Sequence, residues 1–376
     1  MKVRAAVLRQ MGLPAPYAQS RPLVIDTIEL AAPGAGELCV KVLAAGLCHS
    51  DLSVIDGSRP RVMPMVMGHE AVGEIVEVGA DVQDFAVGDR VVFSFVPGCG
   101  HCLPCAGGRP ALCEPGAKAN TNGTLLSGER RWQQQGSDLN HHLGVSAFAE
   151  HTVVSARSAV KIDPEVPPQI AALFGCAVMT GVGAVVNTAR VAPGESVAVF
   201  GLGGVGLAAL IGARAAGAYP LVAVDVLPQK LALAAELGAT HCVLAEPGAD
   251  VVAQVREATH GGALHAIETV GSEAVLAQAY AATRRGGTTV TVGLPHPSRQ
   301  FSISAVSLVA EERTVKGSYM GSCVPARDIP RFVGLYRAGR LPVDRLLTHE
   351  IALDELNEAF DRLASGAAVR QVIRFG

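Results

Sequence analysis

The chain has 376 residues, enough for two domains with their own hydrophobic cores. Apolar residues make up 49% of it and charged residues 17%, which excludes an intrinsically disordered chain. The net charge is −3 and no Lys/Arg run stands out, so nucleic acid and anionic membranes are not expected partners. No segment predicts a signal peptide or a membrane span, and we expect a cytoplasmic protein.

The first part of the chain, to about residue 170, is predicted to be rich in short β-strands. Apolar and β-branched runs occupy residues 1–8, 38–43, 73–79 and 89–93, and Gly, Pro and Asp separate them. This pattern favours a β-rich domain.

Four cysteines follow within fifteen residues, in the spacing C-x2-C-x2-C-x7-C: Cys99, Cys102, Cys105 and Cys113. Thiolates at this density can converge on a tetrahedral ion, usually zinc. The alternative is one or two disulfides, which fits poorly with a chain that shows no secretory signal. The cysteine loop therefore predicts a structural zinc site.

From Ser196 onward the pattern changes to strands that alternate with helical stretches. This βαβ rhythm predicts a parallel, doubly wound sheet. The chain ends, from about residue 320, with two helix-like stretches and a last strand at 372–375. The strands of the alternating part are predicted at residues 197–200, 221–225, 242–244, 266–268 and 288–292, with helices to about 216 and over 229–237.

A G-x-G-x-x-G motif lies at the first strand-to-helix junction of this part, from Gly201 to Gly206. Gly201 permits the tight turn, Gly203 lets a pyrophosphate approach the backbone, and Gly206 lets helix and strand pack closely. Asp225 ends the next strand, where an acid binds the adenine ribose diol and repels a 2′-phosphate. The motif therefore favours NAD over NADP. The alternative is a glycine-rich turn with a surface aspartate.

Three further residues are candidate metal ligands: Cys48, His69 and Cys176. Cysteine and histidine are the usual ligands of catalytic zinc. By spacing alone each is also consistent with a buried structural residue, so the residues themselves leave both interpretations open.

Taken together, these motifs resemble the zinc-dependent alcohol dehydrogenases of the medium-chain dehydrogenase/reductase superfamily, of the horse-liver type (class I/III-like). The resemblance extends over nearly the whole chain. It implies an α/β protein with a GroES-like β-rich catalytic domain (1–178 and 320–376) and an inserted Rossmann domain (179–319), with the active site in the cleft between them. The matching motifs are Gly46 to Asp51, Gly68-His69-Glu70, the cysteine loop, Gly175-Cys176 with Thr180-Gly181, Phe200 to Gly206, and Asp225 with Lys230.

The resemblance implies that Cys48, His69 and Cys176 bind a catalytic zinc with an open fourth position, giving two zinc ions per chain. Asp51 would hydrogen-bond His69 and fix its tautomer. Glu70 would lie behind the zinc as a transient ligand. Structural ion pairing is the alternative role for both acids.

In such an enzyme the zinc activates an alcohol whose hydride passes reversibly to the nicotinamide of NAD. Ser50 matches the hydroxyl that takes the substrate proton. The relay in this family ends at a histidine where this chain has Ser53, so we expect water or His49 to complete it. His49 also replaces an arginine that contacts the cofactor pyrophosphate, which predicts weaker phosphate binding.

Other positions match cofactor contacts of the family. Arg370 matches a phosphate-binding arginine, and Lys230 matches a lysine at the adenosine ribose. Thr180 and Val205 would pack near the nicotinamide. The remaining matched cofactor positions are Gly204, Val270 and Val292.

The substrate is predicted to be a small-molecule primary alcohol, aromatic or medium-chain, or its aldehyde. The segment 114–142 resembles the extended active-site loop of the horse-liver type, which favours a homodimer. The matched pocket positions suggest a mostly apolar slot with some polar or aromatic character: Phe95, His142, Leu143, Leu294 and Tyr319.

Other functions fit the motifs less well. A glutathione-type formaldehyde dehydrogenase of the same superfamily would need an arginine that is not evident at 114–117. A non-enzymatic zinc-loop interaction protein would want a basic surface. A zinc-free quinone reductase of the same superfamily would lack Cys48, Cys176 and the cysteine loop. A structural, crystallin-like protein with this fold would not require an intact set of zinc ligands. The other cysteines, Cys39, Cys242 and Cys323, are predicted to be buried.

Overall fold

The computed structural model describes all 376 residues, Met1 to Gly376. Its strands are β1 (Lys2–Leu8), β2 (Leu23–Leu30), β3 (Glu37–Gly46), β4 (Met65–Val66), β5 (Glu70–Val78), β6 (Arg90–Phe93), β7 (Trp132–Gln134), β8 (Ser137–His141), β9 (His151–Ser155), β10 (Ala159–Lys161), β11 (Val197–Phe200), β12 (Leu221–Asp225), β13 (His241–Leu244), β14 (Ala263–Glu268), β15 (Thr283–Thr291), β16 (Thr314–Gly317), β17 (Leu347–Ile351) and β18 (Arg370–Arg374). Its α-helices are α1 (Tyr17–Ser20), α2 (His49–Ile55), α3 (Leu103–Ala106), α4 (Glu114–Asn122), α5 (Pro168–Ala171), α6 (Ala177–Gly183), α7 (Gly204–Ala215), α8 (Pro228–Glu236), α9 (Val251–Ala258), α10 (Glu273–Ala282), α11 (Ala305–Ala310), α12 (Pro325–Arg337) and α13 (Leu356–Ala364).

The first of two compact units comprises Met1–Cys176, Val324–Val333 and Leu347–Gly376. It contains a closed barrel in the order β1-β2-β7-β8-β4 and a seven-stranded sheet in the order β10-β6-β5-β3-β18-β17, with β9 also paired to β3. In this sheet β3 is flanked by β5 and β18. The amide of Leu47 donates to the carbonyl of Gln371 at 2.9 Å. The residues just after β3 are thereby held beside the start of β18.

The segment 114–142, expected to be an extended loop, is instead ordered secondary structure. It contains α4 and the β7–β8 hairpin, whose strands belong to the barrel. The hairpin turns at Gln135 and Gly136, both with positive φ (52° and 78°). Trp132 and Leu139 face each other across the hairpin and are buried in the barrel core. These apolar side chains explain why a mostly polar segment pairs as strands.

The second unit comprises Ala177–Cys323 and Gly334–Leu346. It carries a six-stranded sheet in the order β13-β12-β11-β14-β15-β16, and every neighbouring pair in it is parallel. All four residues of β11 are buried, as expected for a strand covered by helices on both faces. The predicted fold class, a GroES-like β-rich domain plus a Rossmann-type doubly wound sheet, is confirmed.

The boundaries of the units lie at Cys176 and Cys323, close to the predicted domain boundaries at 178 and 320. Within the C-terminal part, Gly334–Leu346 packs with the second unit, although it was assigned with the rest of 320–376 to the first domain. No single helix is long and apolar enough to cross a membrane. Only the pair Pro168–Gly175 and Ala177–Ala189, bent by 51° at its break, reaches that length and apolarity together.

Candidate active site and metal centres

The start of α2 carries four of the predicted site residues: Cys48, His49, Ser50 and Asp51. Cys48 is the N-cap of this helix, and its amide donates to Oδ2 of Asp51 at 3.0 Å. An acid at this position is stabilised by the first-turn N–H groups of a helix. Ser50 lies in the same turn and is partly exposed. Ser53 points its hydroxyl to the carbonyl of His49 at 2.8 Å.

His69 lies immediately before β5, in a backbone geometry that requires its glycine neighbour. Gly68 has φ +94°, and a Cβ there would lie 2.5 Å from the amide nitrogen of Phe148. The buried ring of His69 has Nδ1 2.8 Å from Oδ1 of Asp51. Its Nε2 is buried without a hydrogen-bond partner. Asp51 thus fixes the Nδ1–H tautomer and leaves the lone pair of Nε2 available to a metal.

Cys176 joins this cluster from the junction between the 3₁₀ turn Ala172–Gly175 and α6. The ligand atoms of Cys48, His69, Glu70 and Cys176 all lie within 4.8 Å of one another, and all four residues are buried. All nine cysteines are free thiols, so neither of these is in a disulfide. Two sulfurs, one imidazole nitrogen without a partner and a nearby carboxylate form a donor set that fits catalytic zinc.

The groups of this cluster shift one another's pKa values in opposite directions, and the Cys48 sulfur raises the pKa of Cys176 well above its ordinary value. The neighbouring Cys176 sulfur and His69 hold the pKa of Cys48 well below its ordinary value, although burial opposes this. Burial opposes the charged forms of Asp51 and His69 as well. Their mutual attraction nevertheless lowers the pKa of Asp51 and raises that of His69. A thiolate is the form that binds zinc.

Glu70 and Arg370 form a buried ion pair behind this cluster. Nη2 of Arg370 lies 3.2 Å from Oε2 of Glu70, and Nη1 donates to the carbonyl of Leu47 at 2.9 Å. Burial raises the pKa of Glu70 to about 7, while Arg370 acts in the opposite direction. Gly46 leaves the space that Glu70 fills, since a Cβ there would lie 2.9 Å from its carboxyl carbon. Arg370, predicted to bind cofactor phosphate, is only 3% exposed in this arrangement.

Two predicted pocket residues lie against the ring of His69. Phe95 and His142 make edge-on contacts with it, with ring centroids 5.3 and 5.6 Å away. Nδ1 of His142 is 3.2 Å from Oδ1 of Asp51, so one carboxylate oxygen faces two imidazoles. Burial lowers the pKa of His142 and Asp51 acts against that shift. The contact between His142 and Asp51 has no signal in the sequence.

The other predicted pocket residues fall in both units. Leu143 is buried in the first unit with a positive φ of 51°. Leu294 and Tyr319 belong to the second unit and are 49% and 36% exposed.

The four-cysteine loop also forms a compact cluster of ligand atoms. The sulfurs of Cys99, Cys102, Cys105 and Cys113 lie within 4.8 Å of one another. The Cys99–Cys105 and Cys102–Cys113 sulfur pairs are each 4.0 Å apart, close to the roughly 3.8 Å of a tetrahedral zinc with 2.3 Å bonds. Backbone N–H groups, including that of Cys102, lower the pKa of Cys99 to about 6, although desolvation opposes this. The loop therefore fits a second, structural zinc.

The glycine motif adopts the geometry of a dinucleotide turn. Gly201 has φ +86°, and a Cβ at Gly206 would lie 1.8 Å from the carbonyl oxygen of Gly201. At Gly203 a Cβ would meet nothing within 4 Å, so this position is open toward a ligand. Each glycine thus shows the property predicted for it: a turn, an open approach and close helix–strand packing.

Asp225 ends β12 and accepts hydrogen bonds from Leu202 N at 2.6 Å and Leu227 N at 3.0 Å. Its carboxylate therefore lies beside the glycine turn. Thr180, in α6, has a buried hydroxyl without a partner, which fits a bound group. The remaining predicted cofactor positions lie in α2 (His49), α7 (Gly204, Val205), α8 (Lys230) and the loops after β14 and β15 (Val270, Val292).

One expectation about the cysteines is wrong. Cys39 and Cys323 are buried, but Cys242 is exposed. Its strand, β13, lies at the edge of the sheet, where the outer face is open to solvent.

Comparisons with known proteins agree with this architecture. Residues 34–164 match the alcohol dehydrogenase GroES-like domain and residues 204–337 match the zinc-binding dehydrogenase domain. A Mycobacterium tuberculosis protein with the provisional name alcohol dehydrogenase D is 40% identical over 99% of this chain and 100% of its own. Geraniol dehydrogenase of Castellaniella defragrans is 37% identical, covering 100% of this chain and 98% of its own.

Two solved structures extend the comparison. Benzyl alcohol dehydrogenase from Acinetobacter calcoaceticus superimposes with a TM-score of 0.93 at 33% identity, covering 100% of both chains. A zinc-binding dehydrogenase from Sinorhizobium meliloti, provisionally assigned and bound to NADP, gives a TM-score of 0.81 at 26% identity, covering 100% of both chains. With the motifs, both metal-ligand clusters and the sheet order in agreement, the chain belongs to the zinc-binding dehydrogenases of the medium-chain dehydrogenase/reductase superfamily, among the zinc-containing alcohol dehydrogenases.

Proposed function

We propose that the protein catalyses the reversible, NAD-dependent oxidation of a primary alcohol to its aldehyde. The observation that carries this proposal is the convergence of Cys48, His69 and Cys176 with a buried, partnerless Nε2. A zinc ion held by these residues supplies a Lewis acid that lowers the pKa of an alcohol oxygen. Two thiolates and a neutral imidazole would leave that centre formally neutral.

The protein's own groups have separate tasks in this proposal. Asp51 keeps the proton on Nδ1 of His69, so that Nε2 remains a ligand. Ser50 accepts the hydroxyl proton of the substrate. Ser53, at the position of the family's relay histidine, donates its hydroxyl to the carbonyl of His49. We propose that water or the His49 ring takes the proton from Ser50 and passes it to solvent.

NAD is the proposed cofactor because of Asp225. A carboxylate at the end of β12 can accept ribose hydroxyls and would repel a 2′-phosphate. The NADP-bound relative is a reason to test both cofactors. A wild-type enzyme that reduced NADP in preference to NAD would reject this part of the proposal.

Aromatic primary alcohols are the proposed substrates, with medium-chain alcohols as the next choice. Two relatives are named for benzyl alcohol and for geraniol, and the residues beside His69 include the apolar Phe95. A glutathione-type formaldehyde dehydrogenase is the second candidate. This chain, however, has no evident arginine at residues 114–117 that would bind a thiol adduct.

We further propose that the protein is a cytoplasmic homodimer and that each chain binds two zinc ions. Strand β16 lies at the edge of its sheet, and Val306 and Val309 of α11 are 69% and 80% exposed. A second copy could pair with this edge and cover these side chains. Light scattering should give twice the chain mass; a monomer would overturn this part.

The first experiment is metal content per chain together with NADH formation on benzyl alcohol, geraniol and hexanol. We expect two zinc ions and alcohol-dependent NADH formation. Cys48→Ser should remove one zinc and the activity, whereas the exposed control Cys242→Ser should keep both. Full activity in Cys48→Ser, or no turnover by a chain holding two zinc ions, would contradict the proposed function.

A further inference from the structure

Glu268 is a buried acid that the proposed chemistry does not use. It ends β14 and is 1% exposed. Its Oε1 accepts hydrogen bonds from the amides of Val270 at 2.7 Å and Gly271 at 2.6 Å, and its Oε2 accepts one from the Thr291 hydroxyl at 2.8 Å. It forms no ion pair. Neutral donors therefore solvate the carboxylate, and no nearby cation cancels its charge.

The position of this charge is set by the sheet. In a doubly wound sheet the dinucleotide binds across the carboxyl ends of the strands where the strand order reverses, here between β11 and β14. Asp225 marks the β12 side for the adenosine half. The redox half therefore falls on the side of β14 and β15. Glu268 ends β14, and its partner Thr291 ends β15.

The loops that follow β14 and β15, next to Glu268, are packed tightly against each other. A Cβ at Gly293 would lie 2.0 Å from the amide nitrogen of Gly271. A Cβ at Gly201 would lie 2.5 Å from a methyl group of Val270, so this loop also touches the dinucleotide turn. Glu268 itself is 1% exposed, so little water reaches its carboxylate and its charge is weakly screened.

We propose that Glu268 is a specificity-determining residue that favours the oxidised, positively charged nicotinamide over the reduced, neutral one. The inference rests on the proposed use of NAD. A fixed negative charge on the nicotinamide side of the site attracts the pyridinium of NAD⁺ and has no net charge to attract in NADH. It lowers the dissociation constant of NAD⁺ selectively and shifts the equilibrium on the enzyme toward the oxidised cofactor.

The test is Glu268→Gln, which removes the charge and keeps the hydrogen bonds. The amide oxygen can still accept from Val270 and Gly271, and its NH₂ can donate to the hydroxyl of Thr291, which also accepts. Dissociation constants of NAD⁺ and NADH would be measured by calorimetry on the zinc-loaded enzyme without alcohol. We expect the value for NAD⁺ to rise roughly tenfold and that for NADH to change less than about twofold.

Two controls separate charge from structure. Thr291→Val removes one hydrogen bond and keeps the charge, so the ratio of the two dissociation constants should stay at the wild-type value. The pair Glu268→Asp and Glu268→Asn shares one shortened side chain and differs in charge, so only Asn should shift the ratio. This pair decides the question if Glu268→Gln does not fold.

The outcomes distinguish this inference from the proposed cofactor. If wild-type protein binds NAD⁺ and NADH, and the neutral variants weaken both equally or neither, Glu268 is purely structural and the inference is wrong. If the wild type binds NADP⁺ and fails to bind NAD⁺, the proposed cofactor is wrong, and the same ratio measured with NADP⁺ and NADPH decides the role of Glu268.

Discussion

Nδ1 of His69 lies 2.8 Å from Oδ1 of Asp51, with both side chains fully buried. The second carboxylate oxygen accepts the amide of Cys48, so one acid orients two of the three proposed zinc ligands. A carboxylate behind a metal-binding histidine fixes its tautomer and increases its basicity.

Asp51→Asn should weaken zinc binding about 10- to 100-fold. The asparagine would lose the charge, and its single amide oxygen could not accept from both the His69 ring and the Cys48 amide, because its NH₂ group only donates. Competition with a zinc chelator measures the effect. Asp56→Asn is the matched control. Asp56 lies at the other end of the same helix, and its carboxylate accepts hydrogen bonds from the amide and hydroxyl of Ser58. Equal zinc retention in both variants would contradict the assigned role.

Arg370→Met should lower the melting temperature by roughly 10 °C, because removing one partner of a buried ion pair costs about 3–5 kcal/mol. Glu70 would be left as a buried carboxylate without its cation. The double variant Arg370→Met/Glu70→Gln should recover part of the loss, because the charge is then gone. A double variant no more stable than Arg370→Met would show that the ion pair is not the cause. Differential scanning calorimetry of the zinc-loaded protein provides the measurement.

Cys105→Ser should remove one zinc per chain and leave the other. The loop around Cys105 is rich in Gly and Pro, and its regular structure is limited to α3 and a three-residue 3₁₀ turn at Pro110–Leu112, so the sulfur cluster is expected to stabilise it strongly. We therefore expect lower thermal stability and faster proteolysis between residues 97 and 113. Metal analysis and limited proteolysis measure these effects, with Cys242→Ser as the control. Two zinc ions retained in Cys105→Ser would mean that the loop does not hold a metal.

Glu195→Gln should destabilise the second unit at neutral pH and have less effect in acid. Burial opposes its ionisation, but the Ala192 amide and the His265 ring hold the pKa of Glu195 below its ordinary value. A depressed folded-state pKa stabilises the protein above the unfolded value, near 4.5, and this contribution is lost as the pH falls through the folded pKa.

Glu195→Gln should lower the free energy of unfolding by about 0.5–1 kcal/mol at pH 7. The effect is small because the Glu195 side chain is about one-third exposed and solvent screens its interactions. Melting temperatures of wild type and Glu195→Gln between pH 4 and 8 provide the measurement. The gap between them should narrow below about pH 4.5. A gap that widens as the pH falls would reverse the sign and reject the interpretation.

The sequence by itself determined the features that depend on neighbouring residues. The turn at Gly201 to Gly206 requires glycines at fixed spacing, and a buried parallel strand such as β11 requires an unbroken apolar run. The cysteine loop is likewise a local pattern, since its four ligands lie within fifteen residues. Each of these was predicted because its physical cause lies within a short stretch of chain.

Only the tertiary structure decided which distant residues meet. Cys176 is more than a hundred residues from Cys48, and spacing alone could not distinguish it from a buried structural cysteine. The hairpin within 114–142 escaped prediction because its strands are fixed by partners β2 and β4 rather than by their own propensity. The burial of Arg370 against Glu70 and the contact of Thr291 with Glu268 also come from strand pairing. Pairing between strands far apart in sequence is set by the packing of the whole sheet, which no local pattern records.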